Sequence, residues 1–245
     1  MLLVKNRWRA FVYHIFFSSF LVLSASALVF GIWYPDPFSK ISGGIQMFVA
    51  LVVVDLVIGP LLTLIVFSKN KAKKEIVLDI FVILILQLAA MCYGVWSLAS
   101  ARPAYLVYEY GRYSIVREMD LEGLLEKEMP SELKRGYFSS PRRVALRPFK
   151  DSKEQYRYTM DALAGVPLAF RSELWRPYEE LLPDVRVDAK PVTSAPDLQK
   201  LLNQKTPPNQ EDVLYYLPLQ GAKGFWSVIL NEKAEILDFV EWDPL

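Results

Sequence analysis

GIQMFVALVVVDLVIGPLLTLIVF, Gly44 to Phe67, decides how the whole chain is read. It runs for 24 residues with one charged side chain, Asp55. Roughly 20 helical residues cross the hydrocarbon core of a bilayer. The backbone must satisfy its own hydrogen bonds there, so the stretch is expected to be a transmembrane helix. Two further stretches share its length and character: FVYHIFFSSFLVLSASALVFGIWY, Phe11 to Tyr34, and IVLDIFVILILQLAAMCYGVWSLA, Ile76 to Ala99. Burial of all three in a soluble core is the competing reading. It fails because too little chain follows to cover that much apolar surface.

The charge pattern agrees with this division. The 245 residues carry a formal net charge of only +1 and are 53% hydrophobic. Residues 1 to 99 hold eight Lys or Arg against four Asp or Glu; residues 100 to 245 hold 20 against 23. A membrane domain over 1–100 and an outer domain over 101–245 follow. A disordered chain is excluded by the aliphatic and aromatic content. One cysteine, Cys92, and one histidine, His14, exclude a disulfide scaffold and make a zinc site improbable.

Basic residues set the expected orientation. Lys5, Arg7 and Arg9 precede the first span, and Lys69, Lys71, Lys73 and Lys74 lie between the second and third. The 35–43 connection holds only Lys40 and Asp36. The positive-inside rule puts the N-terminus and the 68–75 loop in the cytoplasm, and the 35–43 loop and the outer domain on the far side. Trp8, Phe11, Tyr13, Trp33, Tyr34, Tyr93 and Trp96 flank the ends as headgroup-level rings do, although Tyr93 reads equally well as a packing residue. Ala25-Ser26-Ala27 resembles a signal-peptide cleavage site, but the apolar run continues past it to Tyr34.

Asp55 is the polar group that stands out. A carboxylate at that depth costs at least ~2.5–3.5 kcal/mol on insertion scales, so it is expected to face other helices. It reads either as a contact for a membrane partner or as a structural hydrogen bond to Gln87, Thr63 or Ser24. Gly59-Pro60 predicts a kink that bares a carbonyl for Thr63 or a neighbouring helix. Asp79 is expected to serve the N-terminus of the third helix. His14 reads as an interfacial or packing residue, and Cys92 as a small hydrophobe.

The outer domain is expected to be α+β. Tyr105–Val107 and Tyr113–Val116 read as a hairpin turning at 109–112. Asp120 is expected to cap a short helix through Met129, with a second helical turn over 131–138. Arg142, Arg143, Arg147, Lys150 and Lys153 mark either an anion-binding surface or a solvated loop with strand character at Val144–Leu146. A helix is expected over Lys153–Leu168, with Tyr156, Met160 and Leu163 on one side. Short helix or turn follows to Leu182, then loop with a helix from Pro196 to Asn203. A strand at Val213–Leu217 and a hairpin of Phe225–Leu230 with Glu235–Val240 close the domain.

No phosphate loop, H-E-x-x-H, C-x-x-C or G-x-S-x-G is present. The outer domain has neither histidine nor cysteine, which removes the usual nucleophilic triads. No enzymatic activity, catalytic residue, cofactor or metal is expected. Nucleic acid is not expected as a partner, because the outer domain is acidic.

Several motifs together resemble a known family. They are Trp8-Arg9-Ala10-Phe11 with His14, Gly31 with Trp33-Tyr34-Pro35, and Val54-Asp55-Leu56-Val57 followed by Gly59-Pro60-Leu61-Leu62-Thr63-Leu64. Asp79, Leu86-Gln87-Leu88-Ala89-Ala90, Tyr93-Gly94-Val95-Trp96 and Ala101-Arg102-Pro103 continue the pattern. The chain resembles the type IV pilin accessory proteins, closely over residues 7 to 120 and more loosely beyond. That resemblance implies a multi-pass protein of the bacterial inner membrane with a periplasmic domain and a chaperone-like role in type IV pilus assembly. The implied partners are the major pilin, other pilus assembly components and membrane lipid. The positions that build the motif, Asp55, Gly59, Pro60, Thr63, Gln87, Trp33, Tyr34, Pro35 and Arg102, are then the candidates for partner binding. A ligand-sensing protein and a structural subunit of another envelope complex are the alternatives.

Overall fold

The computed structural model describes residues 2–66, 72–121, 129–205, 213–222 and 224–243. It divides into two compact units, Met1–Arg102 and Pro103–Leu245.

The first unit is a bundle of three long apolar helices. Helix α1 (Leu2–Leu28) continues into a wider, π-helical turn at Val29–Trp33. A short helix α2 (Phe38–Ile41) occupies the expected 35–43 loop. The second long helix has three parts: α3 (Gly44–Val52), a π-helical segment (Val53–Ile58) and α4 (Gly59–Val66). Helix α5 (Lys73–Ala101) is the third. Trp8–Trp33, Gly44–Val66 and Lys74–Ala101 are long and apolar enough to cross a membrane. Phe16, Leu23, Ile65, Val77 and Leu86 point outward, as lipid-facing side chains would. Tyr93 and Cys92 are exposed on α5 as well.

One end of this bundle is tightly packed. Val29, Trp33, Tyr34, Phe48, Leu51, Met91 and Leu98 form its core. Two glycines allow the close approach. A Cβ at Gly44 would lie 2.5 Å from the Tyr34 ring, and one at Gly94 would lie 2.9 Å from Leu51 Cδ1. At the start of α5, Glu75 accepts the Ala72 N–H at 3.0 Å. Glu75, rather than the expected Asp79, sits where the helix leaves donors unpaired.

The second unit is built on a mixed, curled eight-stranded sheet ordered β4-β3-β1-β2-β6-β7-β8, with β5 pairing a part of β6. The strands are β1 (Pro103–Tyr108), β2 (Tyr113–Arg117), β3 (Arg142–Leu146), β4 (Trp175–Pro177), β5 (Lys190–Pro191), β6 (Tyr215–Gln220), β7 (Phe225–Leu230) and β8 (Ile236–Val240). Both expected hairpins are present: β1 with β2, and β7 with β8. The first turns on Tyr110 and Gly111, both at positive φ, as a two-residue hairpin loop requires. Strand β1 pairs in parallel with β3, and β2 with the end of β6. Tyr105, Val144, Leu146, Leu174 and Trp175 centre one core. Helix α8 (Pro196–Lys205) contributes Leu198 and Leu202 to another, with Tyr216 and Ile229.

Some local expectations are corrected. Strand β4 and helix α7 (Leu182–Asp188) lie where turn and loop were expected. Asp120 does not look forward to cap a helix: its carboxylate takes the Arg117 N–H at 2.9 Å and the Arg117 guanidinium. The rest of that expected helix lies outside the described residues. Only Ser131–Leu133 is helical in the 131–138 stretch. Helix α6 (Ser152–Leu163) is capped by Asp151, whose Oδ1 accepts the Glu154 N–H at 2.7 Å. It buries Tyr158 and leaves Tyr156 and Leu163 outside, at 69% and 77% exposure. Arg147, in the basic stretch, is held by Glu154 through two hydrogen bonds of 2.8 and 2.9 Å.

Candidate functional site

The second span carries the candidate site because its backbone changes register there. The Gly59 N–H goes to the Val54 carbonyl, five residues back, instead of to the Asp55 carbonyl as in an α-helix. Pro60, the next residue, has no N–H to give. The Asp55 carbonyl is therefore served from another helix: Gln87 Nε2 on α5 donates to it at 3.2 Å. A neighbouring helix thus supplies the backbone partner that the proline withholds.

Gly59 makes room for this. A Cβ there would lie 1.6 Å from Gln87 Nε2 and 2.3 Å from its Cδ. The Gly-Pro pair therefore has two separate uses: the glycine admits the Gln87 amide, and the proline leaves it an acceptor.

Thr63, one turn on, is 1% exposed and meets His14 of α1. His14 Nδ1 lies 2.6 Å from Thr63 Oγ1, and Thr63 Oγ1 lies 3.3 Å from the Gly59 carbonyl. A hydroxyl has one proton to donate. That proton goes either to the Gly59 carbonyl or to His14 Nδ1, and the histidine tautomer follows from which.

The carboxyl group of Asp55 is 3% exposed as a residue, and His14 is 6% exposed. Both line a cavity of about 260 Å³ together with Ser18, Gln87 and the apolar side chains of Phe17 and Leu88. Asp55 Oδ2 is buried and has no hydrogen-bond partner among the described residues, while the His14 ring and the Gln87 side-chain amide meet each other.

The expected site residues thus fall into two groups. Asp55, Gly59, Pro60, Thr63 and Gln87 meet around the π-helical segment. Trp33, Tyr34, Pro35 and Arg102 gather elsewhere in the same unit. There the Tyr34 hydroxyl donates to the Leu98 carbonyl at 3.0 Å. The Arg102 guanidinium lies 5.3 Å from the centroid of the Trp33 ring. The Pro35 carbonyl accepts the Phe38 N–H at 2.8 Å. The side-chain bonds expected for Asp55 are corrected. Gln87 takes its backbone, Thr63 turns to His14, and Ser24 bonds the Phe20 carbonyl of its own helix at 2.9 Å. His14, read from sequence as packing or interfacial, belongs to the polar cluster. Its place in the Trp8–His14 motif was the available signal.

In the second unit the polar groups hold the sheet together. Tyr113 and Tyr178 share a 2.6 Å hydrogen bond, and the Tyr178 hydroxyl donates to the Ala234 carbonyl at 2.9 Å. Burial pushes the Tyr113 hydroxyl far above its ordinary range. Burial likewise raises Tyr110 to about 12. The Tyr108 hydroxyl bonds Asp188. Among the described residues, no three His, Cys, Asp or Glu side chains converge as a metal centre would need.

Comparison with known proteins supplies the family. A model described as fimbrial assembly protein FimB matches residues 3–43. The fimbrial assembly proteins of Dichelobacter nodosus serogroups E1 and I are each 30% identical over 243 residues, covering 94% of this chain and 93% of theirs. That of serogroups C1 and C2 is 33% identical over 108 residues, covering 44% of this chain and 82% of its own. No solved structure matches. With three apolar helices, a mixed α+β domain and relatives aligned along nearly its whole length, the chain belongs to the FimB-like fimbrial assembly proteins.

Proposed function

We propose that this fimbrial assembly protein is a non-enzymatic accessory factor of type IV pilus biogenesis that holds its cognate major pilin in the inner membrane. In this reading Lys5, Arg7, Arg9 and the basic 68–75 loop stay in the cytoplasm, and the unit from Pro103 onward stands in the periplasm. The spans offer the pilin an intramembrane contact beside Asp55 and the Gly59-Pro60 turn. Trp33, Tyr34, Pro35 and Arg102 brace the bundle at a second place. The periplasmic unit meets the pilin head and supplies selectivity.

The observation that carries the reading is the buried Asp55 carboxyl, set in an apolar span with its Oδ2 unpartnered among the described residues. Polar groups at such depth are costly and mark contacts or pathways. No relay of further carboxylates accompanies it, which favours contact over transport. Polar side chains and small residues are also what helix association in lipid uses.

The test is photo-crosslinking in cells from Val57, which is exposed on the second span, and from the Tyr105–Val116 hairpin. Adducts with the pilin from both positions, and loss of surface pili on deletion, are the expected results. Crosslinks that never include pilin, with piliation unchanged on deletion, would remove the proposal. A periplasm-only reporter fused after the last residue must be active for the stated topology to stand.

A further inference from the structure

The second unit carries two adjacent rings on the outside of a braced turn. Tyr137 and Phe138 are 54% and 67% exposed, and their rings meet edge to face at 5.1 Å. The turn beneath them is closed by the Ser139 N–H, 3.2 Å from the Gly136 carbonyl, and by the Ser139 hydroxyl, which donates to the same oxygen at 2.6 Å. Arg135 holds it from inside. Its Nη1 donates to the Ser139 carbonyl at 2.8 Å, its guanidinium pairs with Glu118, and it lies 5.8 Å from the centroid of the buried Tyr105 ring. A single exposed apolar side chain needs no explanation. Two rings kept outside by a buried arginine are preorganised for contact.

Strand register places the turn. Helix α5 ends at Ala101, and β1 begins at Pro103. Pro103 pairs with Arg117 at the end of β2, and Tyr105 with Arg142 at the start of the parallel β3. Glu118, which holds Arg135, follows β2 directly, and the turn comes just before β3. The two rings therefore stand at the end of the sheet where the chain arrives from α5. That helix is long and apolar enough to cross a membrane. The step from Ala101 to Pro103 spans about 7 Å at most. This end of the sheet is thus tethered beside a bilayer surface, whichever face of the membrane the unit occupies.

The chemistry of the turn fits that surface. Aromatic rings favour the boundary between headgroups and acyl chains. Residues 129–143 carry four basic side chains against one acid, Glu132. Lys134 is exposed, and Arg142 Nη1 reaches the Lys134 carbonyl at 3.5 Å, so both flank the turn. Anionic headgroups attract such charges. We infer that the Gly136–Ser139 turn is a lipid anchor: Tyr137 and Phe138 enter the headgroup region, Lys134 and Arg142 face anionic lipid, and the second unit is fixed to the bilayer. The inference needs α5 to span the membrane. It does not need the Asp55 contact or a pilin partner.

The test uses the full chain in nanodiscs of phosphatidylcholine and phosphatidylglycerol. In a Cys92→Ala background a nitroxide is attached through Ser140→Cys, beside the rings, or through Leu163→Cys or Val187→Cys, exposed elsewhere on the second unit. Oxygen collides most with a label in lipid and a nickel chelate most with one in water, while neither reaches a label packed against protein. Position 140 is expected to read lipid, and positions 163 and 187 water. Tyr137→Ser with Phe138→Ser is expected to return position 140 to water without changing the melting temperature, since both rings lie outside the core. If the double variant does not fold, Phe138→Ser alone replaces it, with a smaller change in the same direction. Pure phosphatidylcholine is expected to weaken the lipid signature, and an equal signature there would overturn the role given to Lys134 and Arg142. Water at position 140 in the parent would overturn the inference, as would a lipid signature that survives loss of both rings, or a label that neither agent reaches. Lipid at 163 and not at 140 would give the contact to α6 instead. Protection at 140 that appears only when pilin is added would show a protein occupant and overturn the lipid one.

Discussion

Gln87 Nε2 donates to the Asp55 carbonyl across two helices, at 3.2 Å. That bond exists because the Gly59 N–H is engaged five residues back and Pro60 has none. Replacing Gln87 by Leu should lower stability by about 0.6–2 kcal/mol, the range for interhelical hydrogen bonds in membranes. In a Pro60→Ala background, residue 60 regains an N–H that the five-residue register directs at the same carbonyl. Gln87→Leu should then cost less. Thermal unfolding of the four proteins in detergent measures the coupling, and strict additivity would contradict the account.

Gly59→Ala should displace the Gln87 amide, because the added Cβ would lie 1.6 Å from Nε2. The obstacle is a flexible side chain, so the helices need not separate. A loss of the same order as Gln87→Leu is expected. Combined with Gln87→Ala, the alanine at 59 should have little further effect. Melting temperatures of the single and double variants decide it.

Arg102 is fully buried beside the Trp33 ring. A lysine keeps the charge but loses the planar group that lies over an aromatic face. Arg102→Lys should therefore destabilise the protein by about 1 kcal/mol. Detergent-solubilised thermal melts would show it, and an unchanged melting temperature would refute it.

In the second unit, the Arg147 guanidinium and the Lys150 N–H hold the Glu154 carboxyl down at about 2. An unpaired glutamate sits near about 4.3. A depressed folded value means stability that is fully present above about 4.3 and is lost as pH falls toward 2. Glu154→Gln should therefore be less stable than the parent at pH 7, and the gap should close over that window. Near-UV circular dichroism during urea unfolding at several pH values provides the measurement.

The three apolar helices were legible because a long apolar run with at most one charge has few other fates in a chain of this size. The wide turn at Val53–Ile58 was not, since proline announces a disturbance without saying which hydrogen bonds shift. The Asp55 neighbourhood was half legible. Gln87 was foreseen as its partner, but through the carboxyl group rather than the backbone. His14 was missed because helix pairing brings α1 beside α4, and no local pattern encodes that pairing. In the second unit the hairpins were readable from β-branched and aromatic runs around turn residues. Strand β4 spans only Trp175–Pro177 and ends in proline, too short for alternation to register. Helix α6 gave a correct stripe, Tyr156, Met160 and Leu163, but periodicity does not say which body covers a stripe. The sheet takes Tyr158 instead.

The Val53–Ile58 segment also sets the angular phase of the second span. On an uninterrupted α-helix, Asp55 and Thr63 would stand about 80° apart around the axis, at 100° per residue. The segment absorbs roughly one residue of advance, and both side chains come to look inward. Deleting a single residue between Val53 and Ile58 would hardly shorten the span. It would act as a twist, swinging every side chain before it by about a quarter turn against those after it.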